Sequence, residues 1–488
     1  MHHKPEQYDV AIIGAGIVGC ATARFLSRYA LKTVVLEACA DISEGATKAN
    51  SGIVHAGYDA AVGSNKAKYN LRGNVLFNLL QSELHYKMKQ NGSLILCLDG
   101  QDTCELETLQ QRGMQNGVGQ MRMLNQEELF ALEPHVSPNA IAALYAPSGG
   151  IVCPYGAAQA FAENAATNGI AFRFHAPVQA IAKQGERFTL TLPQGDIQTR
   201  LVINAAGVHC DEISAMAGGI AFTILPRRGE YCIFDKTVGN LVRHTLFQLP
   251  SEMGKGVLVT PTVDGNLMVG PNAIDQQSKT DISNTASGLD EILLQGARSV
   301  SALPRNKIIT SFTGLRAHEA SDDFYVGEDA YVKGLYHAAG IESPGLTAAP
   351  AIAEDLAAMV ADALQPDLNA SFEPQRLAAP SFSDMDDAQR EAAIAGDAGY
   401  ARIVCRCETV TEAEILAAIR TMPGATTIDG IKRRTRAGMG RCQGGFCLPK
   451  VLPLLAAELG VEESAIGKRD ARSNYITGRI KEDLPCID

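Results

Sequence analysis

The chain has 488 residues, of which 46% are hydrophobic and 20% are charged, and its formal net charge is −11. That length allows two or three domains with a sizeable core, and the negative charge argues against a nucleic-acid-binding protein, which would need a basic face. The first residues are too polar and acidic for a signal peptide, and no apolar run is long enough to span a bilayer. We therefore expect a cytoplasmic protein, with reduced cysteines available for metal ligation, in which any peripheral membrane contact would need a partner or a surface patch.

The chain opens with the pattern of a nucleotide-binding βαβ unit. Tyr8–Ile13 is an apolar run that predicts a buried parallel strand, and it leads into the turn Gly14-Ala-Gly16-Ile-Val-Gly19. A helical pattern follows, and then a second strand, Thr33–Leu36, that ends on Glu37. The three glycines suit a tight turn, the close approach of a pyrophosphate and helix–strand packing, and the acidic residue suits a ribose hydroxyl. The sequence therefore predicts a dinucleotide on Gly14, Gly16, Gly19 and Glu37.

Later patterns complete an α/β fold that carries an inserted sheet. Short strands are predicted at Gln179–Ala182, Phe188–Leu192, Gln198–Ile203 and Leu335–Ala339. The third of these delivers the chain to Asn204-Ala-Ala-Gly207, and the fourth leads through the loop Gly340–Thr347 into a helix that runs to about Leu364. Strand patterns between Gly229 and Gly270 predict an antiparallel sheet inserted into the nucleotide fold.

These patterns divide the chain into four parts. Residues 1–364 form the predicted oxidoreductase, with cofactor-binding parts at about 1–90, 150–220 and 310–364 and substrate-domain parts at about 91–149 and 221–309. Residues 365–399 carry the prolines of a linker, followed by a short acidic, alanine-rich helix pattern. A four-cysteine domain occupies 400–450, and 451–488 is a C-terminal extension.

Four of the twelve cysteines lie in that small domain as C-x-C…C-x4-C, at Cys405, Cys407, Cys442 and Cys447. Four thiolates at such spacing can close around one metal centre. The spacing departs from the paired C-x2-C of zinc ribbons, although zinc stays an alternative to an iron–sulfur cluster. Nearby cations would raise the potential of a negatively charged cluster, but a basic run alone also fits a solvated helix face or a patch for an acidic partner. The cations are Arg406, Lys432, Arg433, Arg434, Arg436 and Arg441.

Three segments resemble the D-amino-acid-oxidase-like flavoprotein superfamily: Gly45-Ala-Thr-Lys-Ala-Asn-Ser-Gly-Ile-Val-His-Ala-Gly-Tyr58, Val202-Ile-Asn-Ala-Ala-Gly207 and Gly340-Ile-Glu-Ser-Pro-Gly-Leu-Thr347. The resemblance implies FAD rather than NAD, on a Rossmann-like domain of the D-amino-acid-oxidase type. In that superfamily the last segment and its helix N-terminus face the flavin ring. The further residues implied to contact FAD are Lys48, Asn50, Ser51, Gly52, Val178, Ala206, Gly207, Gly340, Ile341, Gly345, Leu346 and Thr347.

The surroundings of the cysteines, Lys432-Arg-Arg-Thr-Arg-Ala-Gly-Met-Gly-Arg-Cys-Gln-Gly-Gly-Phe-Cys447, resemble the bacterioferritin-associated-ferredoxin-like [2Fe-2S] domain. Combined with the flavin fold, the chain resembles the anaerobic branch of the FAD-dependent glycerol-3-phosphate dehydrogenase family. That resemblance implies a dehydrogenase for a small anionic secondary alcohol, above all sn-glycerol 3-phosphate. Its electrons would leave FAD through a [2Fe-2S] cluster to a partner protein and then to quinone.

Such chemistry needs a base for the hydroxyl proton and a cationic anchor for an anionic substrate. His55 is the candidate base because it lies in the presumed flavin-contacting segment. Arg316 ends Ser311-Phe-Thr-Gly-Leu-Arg316, which resembles the family's Gly-x-Arg segment, and it is predicted to lead a loop as the anchor. Weaker anchor candidates are Lys48, Arg72, Arg227 and His318.

Three other functions remain open on the sequence. Asn50–Tyr58 is more similar to L-2-hydroxyglutarate dehydrogenase, and Arg316 is followed by alanine where the family's segment has proline, so a 2-hydroxy acid is an alternative substrate. An opine or amino-acid dehydrogenase subunit is another, because such heteromers carry a similar ferredoxin-like module. A non-catalytic electron-relay subunit, with the catalytic site on a partner chain, is the third.

Overall fold

The computed structural model describes residues 5–250, 256–470 and 472–478. These residues form two compact units. Unit 1 comprises the chain up to Leu36 together with Ser43–Arg376, and unit 2 comprises Glu37–Ile42 together with the chain from Leu377 onward.

The strands in chain order are β1 (Glu6–Ile13), β2 (Thr33–Leu36), β3 (Ile53–Val54), β4 (Met88–Lys89), β5 (Ser93–Leu98), β6 (Arg122–Asn125), β7 (Ala140–Ala146), β8 (Gly150–Val152), β9 (Ala171–Arg173), β10 (Ala180–Gln184), β11 (Arg187–Thr191), β12 (Ile197–Asn204), β13 (Ile224–Phe234), β14 (Thr245–Gln248), β15 (Leu258–Pro261), β16 (Leu267–Gly270), β17 (Ile274–Asp275), β18 (Ile308–Glu319), β19 (Tyr325–Glu328), β20 (Leu335–Ala339), β21 (Ile403–Cys405) and β22 (Val410–Thr411).

The α-helices are α1 (Ile17–Leu26), α2 (Asn65–Leu84), α3 (Cys104–Gln115), α4 (Gln126–Leu132), α5 (Pro154–Thr167), α6 (Cys210–Ala217), α7 (Ala286–Ser299), α8 (Gly345–Leu364), α9 (Asp387–Gly396), α10 (Glu412–Arg420), α11 (Ile428–Thr435) and α12 (Leu448–Leu459). Among the described residues, no helix combines the length and the apolarity that a membrane span requires.

The first sheet of unit 1 is the predicted nucleotide-binding sheet. Its order is β10-β11-β12-β1-β2-β9, with β20 also paired to β12 and β19 paired to β20. β1 runs parallel to β2 and to β12, and β12 runs parallel to β20, as a Rossmann-like fold requires. The residues of β1 that face the core are fully buried aliphatic side chains such as Val10 and Ile12. The predicted βαβ start and the predicted strand Leu335–Ala339 are confirmed.

The second sheet of unit 1 has nine strands in the order β17-β13-β16-β15-β14-β5-β7-β6, with β18 paired to β13. Its pairs are antiparallel except for β5 with β14. The loop predicted after Arg316 is wrong, because β18 pairs with β13 as far as Glu319 opposite Ile224. Arg316 therefore belongs to this sheet, in a part of the chain that the sequence assigned to the cofactor domain.

The predicted linker 365–399 divides at the boundary between the units. Residues 365–376 pack on unit 1, where the Ala30 N–H donates to the Asp367 carbonyl at 2.9 Å and the Asn164 side chain donates to the Glu373 carbonyl at 3.0 Å. The Phe372 ring lies under the buried Arg24 guanidinium, 4.8 Å from the carbon to the ring centroid. The rest of the interval belongs to unit 2 and contains α9.

Unit 2 is a small helical domain around one core. The predicted capping box at the start of α10 is confirmed, since Thr411 and Glu414 cap each other's backbone N–H. α12 crosses the predicted boundary at residue 450, and its Val451 and Leu455 are buried in the core of the unit. The predicted C-terminal extension therefore begins with core residues of the domain.

One ion-pair group joins the two chain stretches of unit 2. The Arg434 guanidinium donates to both Asp41 carboxylate oxygens, at 2.5 and 2.7 Å, and Arg433 donates to one of them at 3.2 Å. Burial raises the pKa of Asp41, but the two guanidinium charges outweigh it and hold that pKa below its usual value. Unpairing a buried charge is costly, so this carboxylate is a major constraint on the segment that follows Glu37.

We predict that Gly73→Ala destabilises unit 1. Gly73 lies on α2 where α2 crosses α8, and a Cβ there would stand 1.9 Å from the Thr347 carbonyl oxygen. Alanine favours helices by about 1 kcal/mol over glycine, but the backbone clash should lower the free energy of unfolding by about 3 kcal/mol.

Gly119→Ala is the matched control, because nothing lies within 4 Å of its added Cβ. Chemical denaturation followed by circular dichroism should give Gly119→Ala a free energy of unfolding within about 0.5 kcal/mol of that of the parent chain. Equal stabilities of the two variants would contradict the packing described for α2 and α8.

Candidate functional site

The glycine turn before α1 has the close contacts that the sequence predicts. Gly14 has a φ of +103°, and a Cβ there would stand 2.5 Å from the Ala205 carbonyl oxygen. A Cβ on Gly19 would stand 1.9 Å from the Gly14 oxygen, so neither position has room for a side chain. Gly16 caps α1, and the Ile17 N–H donates to the Thr47 hydroxyl at 2.9 Å. The arrangement is suited to a pyrophosphate at the α1 N-terminus.

Glu37 lies at the start of the Glu37–Ile42 stretch of unit 2, directly after β2. Its carboxylate accepts a hydrogen bond from the Cys39 N–H at 2.9 Å. This bond turns the chain away from the strand and holds the carboxylate at the strand end, where a ribose acceptor is expected.

The segment after residue 44 is braced by its own side chains. Lys48 forms an ion pair with Glu44, which compensates its charge. The Asn50 side chain donates to the Thr47 carbonyl at 2.9 Å and accepts from the Gly52 N–H at 2.8 Å. Gly52 has a φ of +66°, and Ser51 beside it is half-buried. Lys48 and Asn50 thus shape the backbone of the predicted flavin-contacting segment.

His55 is buried, and its backbone is fixed from two sides. Its N–H donates to the Thr347 hydroxyl at 2.9 Å, and its carbonyl accepts from the Asn74 side chain at 3.1 Å. The Thr347 hydroxyl in turn donates to the Ile53 carbonyl at 3.1 Å. The ring lies 5.9 Å from the Phe247 ring, centroid to centroid. The structure therefore brings the candidate base against the first turn of α8, which carries Thr347.

The remaining predicted cofactor residues fall on two loops and one core position. Ala206 donates its N–H to the Asn204 side chain at 3.3 Å, and Gly207 and Gly340 have φ values of +59° and +68°. Gly345 opens α8, and a Cβ there would stand 2.6 Å from the Ile341 side chain. Leu346 is half-buried beside it. Val178 is buried in the core of the nucleotide sheet, so its side chain faces that core, and only its backbone is left for a cofactor.

A buried histidine network that the sequence analysis missed holds the turn after β12. His337 on β20 is fully buried, with Nε2 2.9 Å from an Asp329 oxygen and Nδ1 3.1 Å from the Asn204 side-chain nitrogen. Since the Asn204 amide also donates to the Cys210 carbonyl at 2.7 Å, the imidazole must be neutral, with Nδ1 accepting. Burial lowers the pKa of His337. β20 is buried at every position, and nothing in its short apolar sequence signals that this histidine pairs with Asn204.

Arg316 lies on β18 opposite Arg227 of β13. Its guanidinium donates to the Asn272 carbonyl at 2.6 Å and to the Arg228 carbonyl at 3.2 Å, while its Nε has no hydrogen-bond partner among the described residues. Burial lowers the pKa of this guanidinium, which stays charged at neutral pH. A half-buried cation whose hydrogen bonds go to carbonyls alone keeps an uncompensated charge, which suits it to receive an anion.

The weaker anchor candidates all have carboxylate partners. Lys48 pairs with Glu44, Arg72 forms two hydrogen bonds with Glu354, Arg227 forms two with Asp275, and His318 Nδ1 lies 3.0 Å from Glu342. Arg316 alone among these candidates lacks a carboxylate partner in the part of the chain that the structure describes. The geometry therefore favours Arg316 over the other four.

A charge cluster ties the loop after β20 to α2 and β18. Lys66 donates to Glu342 at 2.9 Å and to Asp322 at 2.6 Å, and Glu342 also contacts His318. The three acidic and imidazole groups stand close enough to bind a metal ion, but the Lys66 ammonium already lies among them. We interpret the cluster as a brace for the loop that begins at Gly340.

The four predicted cysteines come together in unit 2, and none is in a disulfide. The Sγ atoms of Cys407 and Cys442 are 3.7 Å apart. Two thiolates 2.3 Å from one tetrahedral metal would be about 3.8 Å apart, so this pair fits one metal ion. The Cys447 thiol hydrogen-bonds Cys405 and lowers its pKa to about 6, aided by backbone N–H groups that include that of Gly438. A Cβ on Gly440 would stand 2.2 Å from the Cys407 Cβ, so glycine is required beside Cys407.

The basic run around the cysteines is only partly available to the cluster. Arg433 and Arg434 bind Asp41, and Arg436 donates to Glu408 at 2.7 Å. Burial lowers the pKa of Lys432. Arg406 and Arg441 are exposed. The expectation of a solvated helix face is wrong for Arg433 and Arg434, because a buried carboxylate supplied by residue 41 could not be inferred from the local pattern.

Comparison with known proteins follows the division into two units. The family model described as FAD dependent oxidoreductase matches residues 9–359. This chain belongs to that family. The model described as BFD-like [2Fe-2S] binding domain matches residues 403–457, so the flavoenzyme binds FAD and a [2Fe-2S] cluster, and the zinc alternative is not supported.

The relatives agree in the class of reaction. A glycerol 3-phosphate dehydrogenase from Caloramator mitchellensis is 44% identical over 480 residues, which cover 98% of this chain and all of that one. A mitochondrial L-2-hydroxyglutarate dehydrogenase from Bos taurus is 31% identical over 55% of this chain and 61% of its own length. The solved structure of dithionite-reduced L-alpha-glycerophosphate oxidase from Mycoplasma pneumoniae, with FAD bound, is 29% identical with a TM-score of 0.73, covering 76% of this chain and 98% of that one. The chain is an FAD-dependent oxidoreductase.

We predict that His337 makes the folded state sensitive to acid. Its lowered pKa means that below its ordinary value of 6.5 the unfolded chain binds a proton that the folded chain excludes, so stability falls as the pH falls through that range. The contribution is at most about 1.4 kcal/mol per pH unit. Chemical denaturation between pH 7 and 5 measures the free energy of unfolding at each pH. That free energy should fall less steeply with falling pH in His337→Gln than in the parent chain. Equal slopes would show that the proton binds elsewhere.

We predict that Cys407→Ser abolishes cluster assembly, because a serine hydroxyl is a poor replacement for a thiolate on iron. Iron content and the visible absorbance of the cluster should both fall to background, while FAD stays bound. Cys104→Ser is the control, since Cys104 is exposed on α3 of unit 1. Full iron content in Cys407→Ser would remove Cys407 from the ligand set.

Proposed function

We propose that the enzyme oxidises the secondary hydroxyl of glycerol 3-phosphate to a ketone and passes the electrons through its C-terminal cluster to a partner, and from there to quinone. The observation that carries the substrate is the 44% identity to a glycerol 3-phosphate dehydrogenase along essentially the whole of both chains. The site supports an anionic substrate of this kind because Arg316 is a half-buried cation without a carboxylate partner in the described residues.

FAD would lie on Gly14, Gly16 and Gly19 with its ribose on Glu37, and its ring against the loops at Ala206–Gly207 and Gly340–Thr347. Bound FAD accepts a hydride from the carbon that carries the hydroxyl. The N-terminus of α8, a twenty-residue helix, supplies a positive dipole beside Thr347. The braced segment from Lys48 to Gly52 would hold the backbone that approaches the cofactor. Cys405, Cys407, Cys442 and Cys447 would hold the cluster, which carries single electrons onward.

His55 is the proposed base that takes the hydroxyl proton. Its backbone is held between Thr347 and Asn74, so the ring starts from a fixed point beside the loop that faces the cofactor. Positioned proton transfer of this kind contributes about 10²- to 10⁴-fold to a rate. Arg316 would bind the phosphate with the guanidinium face that its two carbonyl contacts leave available.

The 2-hydroxy-acid alternative keeps the same chemistry, because its substrate is also an anionic secondary alcohol. The observation that favours it is the 31% identity to L-2-hydroxyglutarate dehydrogenase, over about half of the chain. That match is shorter than the match to the glycerol 3-phosphate dehydrogenase, which continues through the cluster domain. We therefore place glycerol 3-phosphate first.

The deciding experiment is anaerobic bleaching of the flavin in the isolated holoprotein. Glycerol 3-phosphate should bleach it, while glycerol, which lacks the phosphate, and L-2-hydroxyglutarate should leave it oxidised. Bleaching by L-2-hydroxyglutarate alone would transfer the proposal to the 2-hydroxy acid. Bleaching by an amino acid or opine would point to that class, and no bleaching at all would favour a relay subunit.

We predict that His55→Gln slows flavin reduction by about 10²- to 10⁴-fold, with little change in the substrate concentration at half-maximal rate, because the base acts in the chemical step. His135→Gln is the matched control, since His135 is exposed. Stopped-flow absorbance measures both. An unchanged reduction rate in His55→Gln would remove His55 as the base.

We predict that Arg316→Lys, unlike His55→Gln, weakens substrate binding more than it slows the chemical step. A lysine cannot reproduce the planar fork of guanidinium donors, so the substrate concentration for half-maximal reduction should rise roughly 10- to 100-fold. The limiting rate should change far less. A change in the limiting rate alone would mean that Arg316 positions another group instead of anchoring the anion.

A further inference from the structure

The cysteine quartet has a buried half and an exposed half. Cys405 and Cys447 are each 2% exposed and lie in the core of unit 2. Cys407 is exposed and Cys442 is half-buried, with their sulfurs 3.7 Å apart. A cluster held by these four thiolates therefore has one edge at the surface of the domain, where an electron can pass to another molecule.

An exposed phenylalanine stands beside that edge. Phe446 lies between the ligands Cys442 and Cys447 and is 81% exposed, whereas the other fourteen phenylalanines of the chain are buried or half-buried. The turn that carries it is shaped by two left-handed residues, Gln443 and Gly444, with φ values of +47° and +92°. Leaving a phenylalanine in water forgoes the stabilisation that burying its ring would give. Such a residue at the rim of a ligand loop suggests a contact made with a partner.

The surroundings of Phe446 are positively charged although the whole chain carries −11. Arg406 lies between the first two ligands, Arg441 precedes the third, and Lys450 lies in the first turn of α12. All three are exposed. The stretch 431–457 contains no acidic residue.

We propose that this surface, formed by Cys407, Phe446, Arg406, Arg441 and Lys450, docks an acidic one-electron carrier protein. The inference rests on the proposed function, which requires an outlet for electrons, and it adds the chemistry of the acceptor. For each alcohol oxidised to a ketone, two carriers each gain one electron and two protons leave. A small aromatic contact within a basic rim suits a brief encounter, in which charge complementarity sets the association rate.

An anionic membrane surface is the competing partner for cations and an aromatic side chain. The surface favours a protein because it is centred on a redox ligand and because the turn exposes one aromatic side chain instead of an apolar helix face. A lipid headgroup cannot accept the electron. Vesicle binding is therefore an outcome of the test below.

The experiment uses the full-length holoprotein, reduced with dithionite and desalted, so that it does not depend on the substrate. The probes are plastocyanin, an acidic one-electron copper protein, and mitochondrial cytochrome c, a basic one-electron haem protein. We expect plastocyanin to be reduced faster at low salt, and its rate to fall about tenfold as the salt rises to 0.2 M. Carbodiimide cross-linking, which joins carboxylates to lysines, should join plastocyanin to Lys450.

Lys450→Glu should slow plastocyanin reduction about tenfold at low salt and abolish the cross-link. Arg298→Glu makes the same change of charge at an exposed position on α7 of unit 1. It should neither slow plastocyanin reduction nor remove the cross-link. Phe446→Ala should slow the reaction at every salt concentration with the same salt dependence. Lys450→Gln repeats the test with half the charge change if Lys450→Glu loses its cluster absorbance.

Equal slowing by Arg298→Glu and Lys450→Glu would overturn the proposal, as would plastocyanin reduction that salt does not affect. Faster reduction of cytochrome c than of plastocyanin would mean that the partner is not acidic. Co-sedimentation of the protein with phosphatidylserine vesicles that is lost in Lys450→Glu, without any effect on plastocyanin, would assign the surface to a membrane. Failure of glycerol 3-phosphate to bleach the flavin would overturn the proposed function alone, because the dithionite arm does not use it.

Discussion

The hydroxyl of Thr347 is the contact on which the arrangement of unit 1 depends. It accepts from the His55 N–H and donates to the Ile53 carbonyl, so two strand-like positions of one segment are tied to the first turn of α8. The Thr347 carbonyl meanwhile lies where a side chain on Gly73 would stand, which brings α2 against the same turn. A displacement of this turn would therefore move the candidate base, the helix dipole and α2 together.

In both units, several of the cations near the candidate sites are paired with carboxylates. In unit 1 the four weaker anchor candidates are paired with carboxylates, and Arg316 is held by carbonyls alone. In unit 2 the basic run loses Arg433 and Arg434 to Asp41, and the cations that stay exposed are those next to the ligands. A cation that is already paired has its charge compensated, so Arg316 is the anchor candidate most open to an anionic ligand.

The sequence predicted well what depends on local patterns. The glycine turn, β2, β20 and the capping box of α10 follow from spacing, and the spacing of the cysteines singled out four thiols that the structure brings together in unit 2. Prediction from the sequence failed where contacts between residues distant in the chain determine the structure. β18 continues past Arg316 because β13 pairs with it as far as Glu319. Residues 365–376 pack on unit 1 because Asn164 hydrogen-bonds their backbone and Arg24 lies over the Phe372 ring. The His337 network and the role of Asp41 depend on contacts more than a hundred residues apart in the chain.

The second unit distinguishes this chain from the glycerophosphate oxidase whose structure it resembles. The oxidase structure from Mycoplasma pneumoniae matches over 98% of its own length and only 76% of this chain, whereas the dehydrogenase from Caloramator mitchellensis matches over nearly all of both. The added domain carries the cluster ligands. The central claim is that electrons taken from the substrate reach that cluster.

Electron paramagnetic resonance of the holoprotein, frozen after anaerobic addition of glycerol 3-phosphate, tests that claim most directly. We expect the signal of a reduced [2Fe-2S] cluster in the parent chain and no such signal when glycerol replaces the substrate. A bleached flavin beside a cluster that stays oxidised, although dithionite reduces it, would contradict the account.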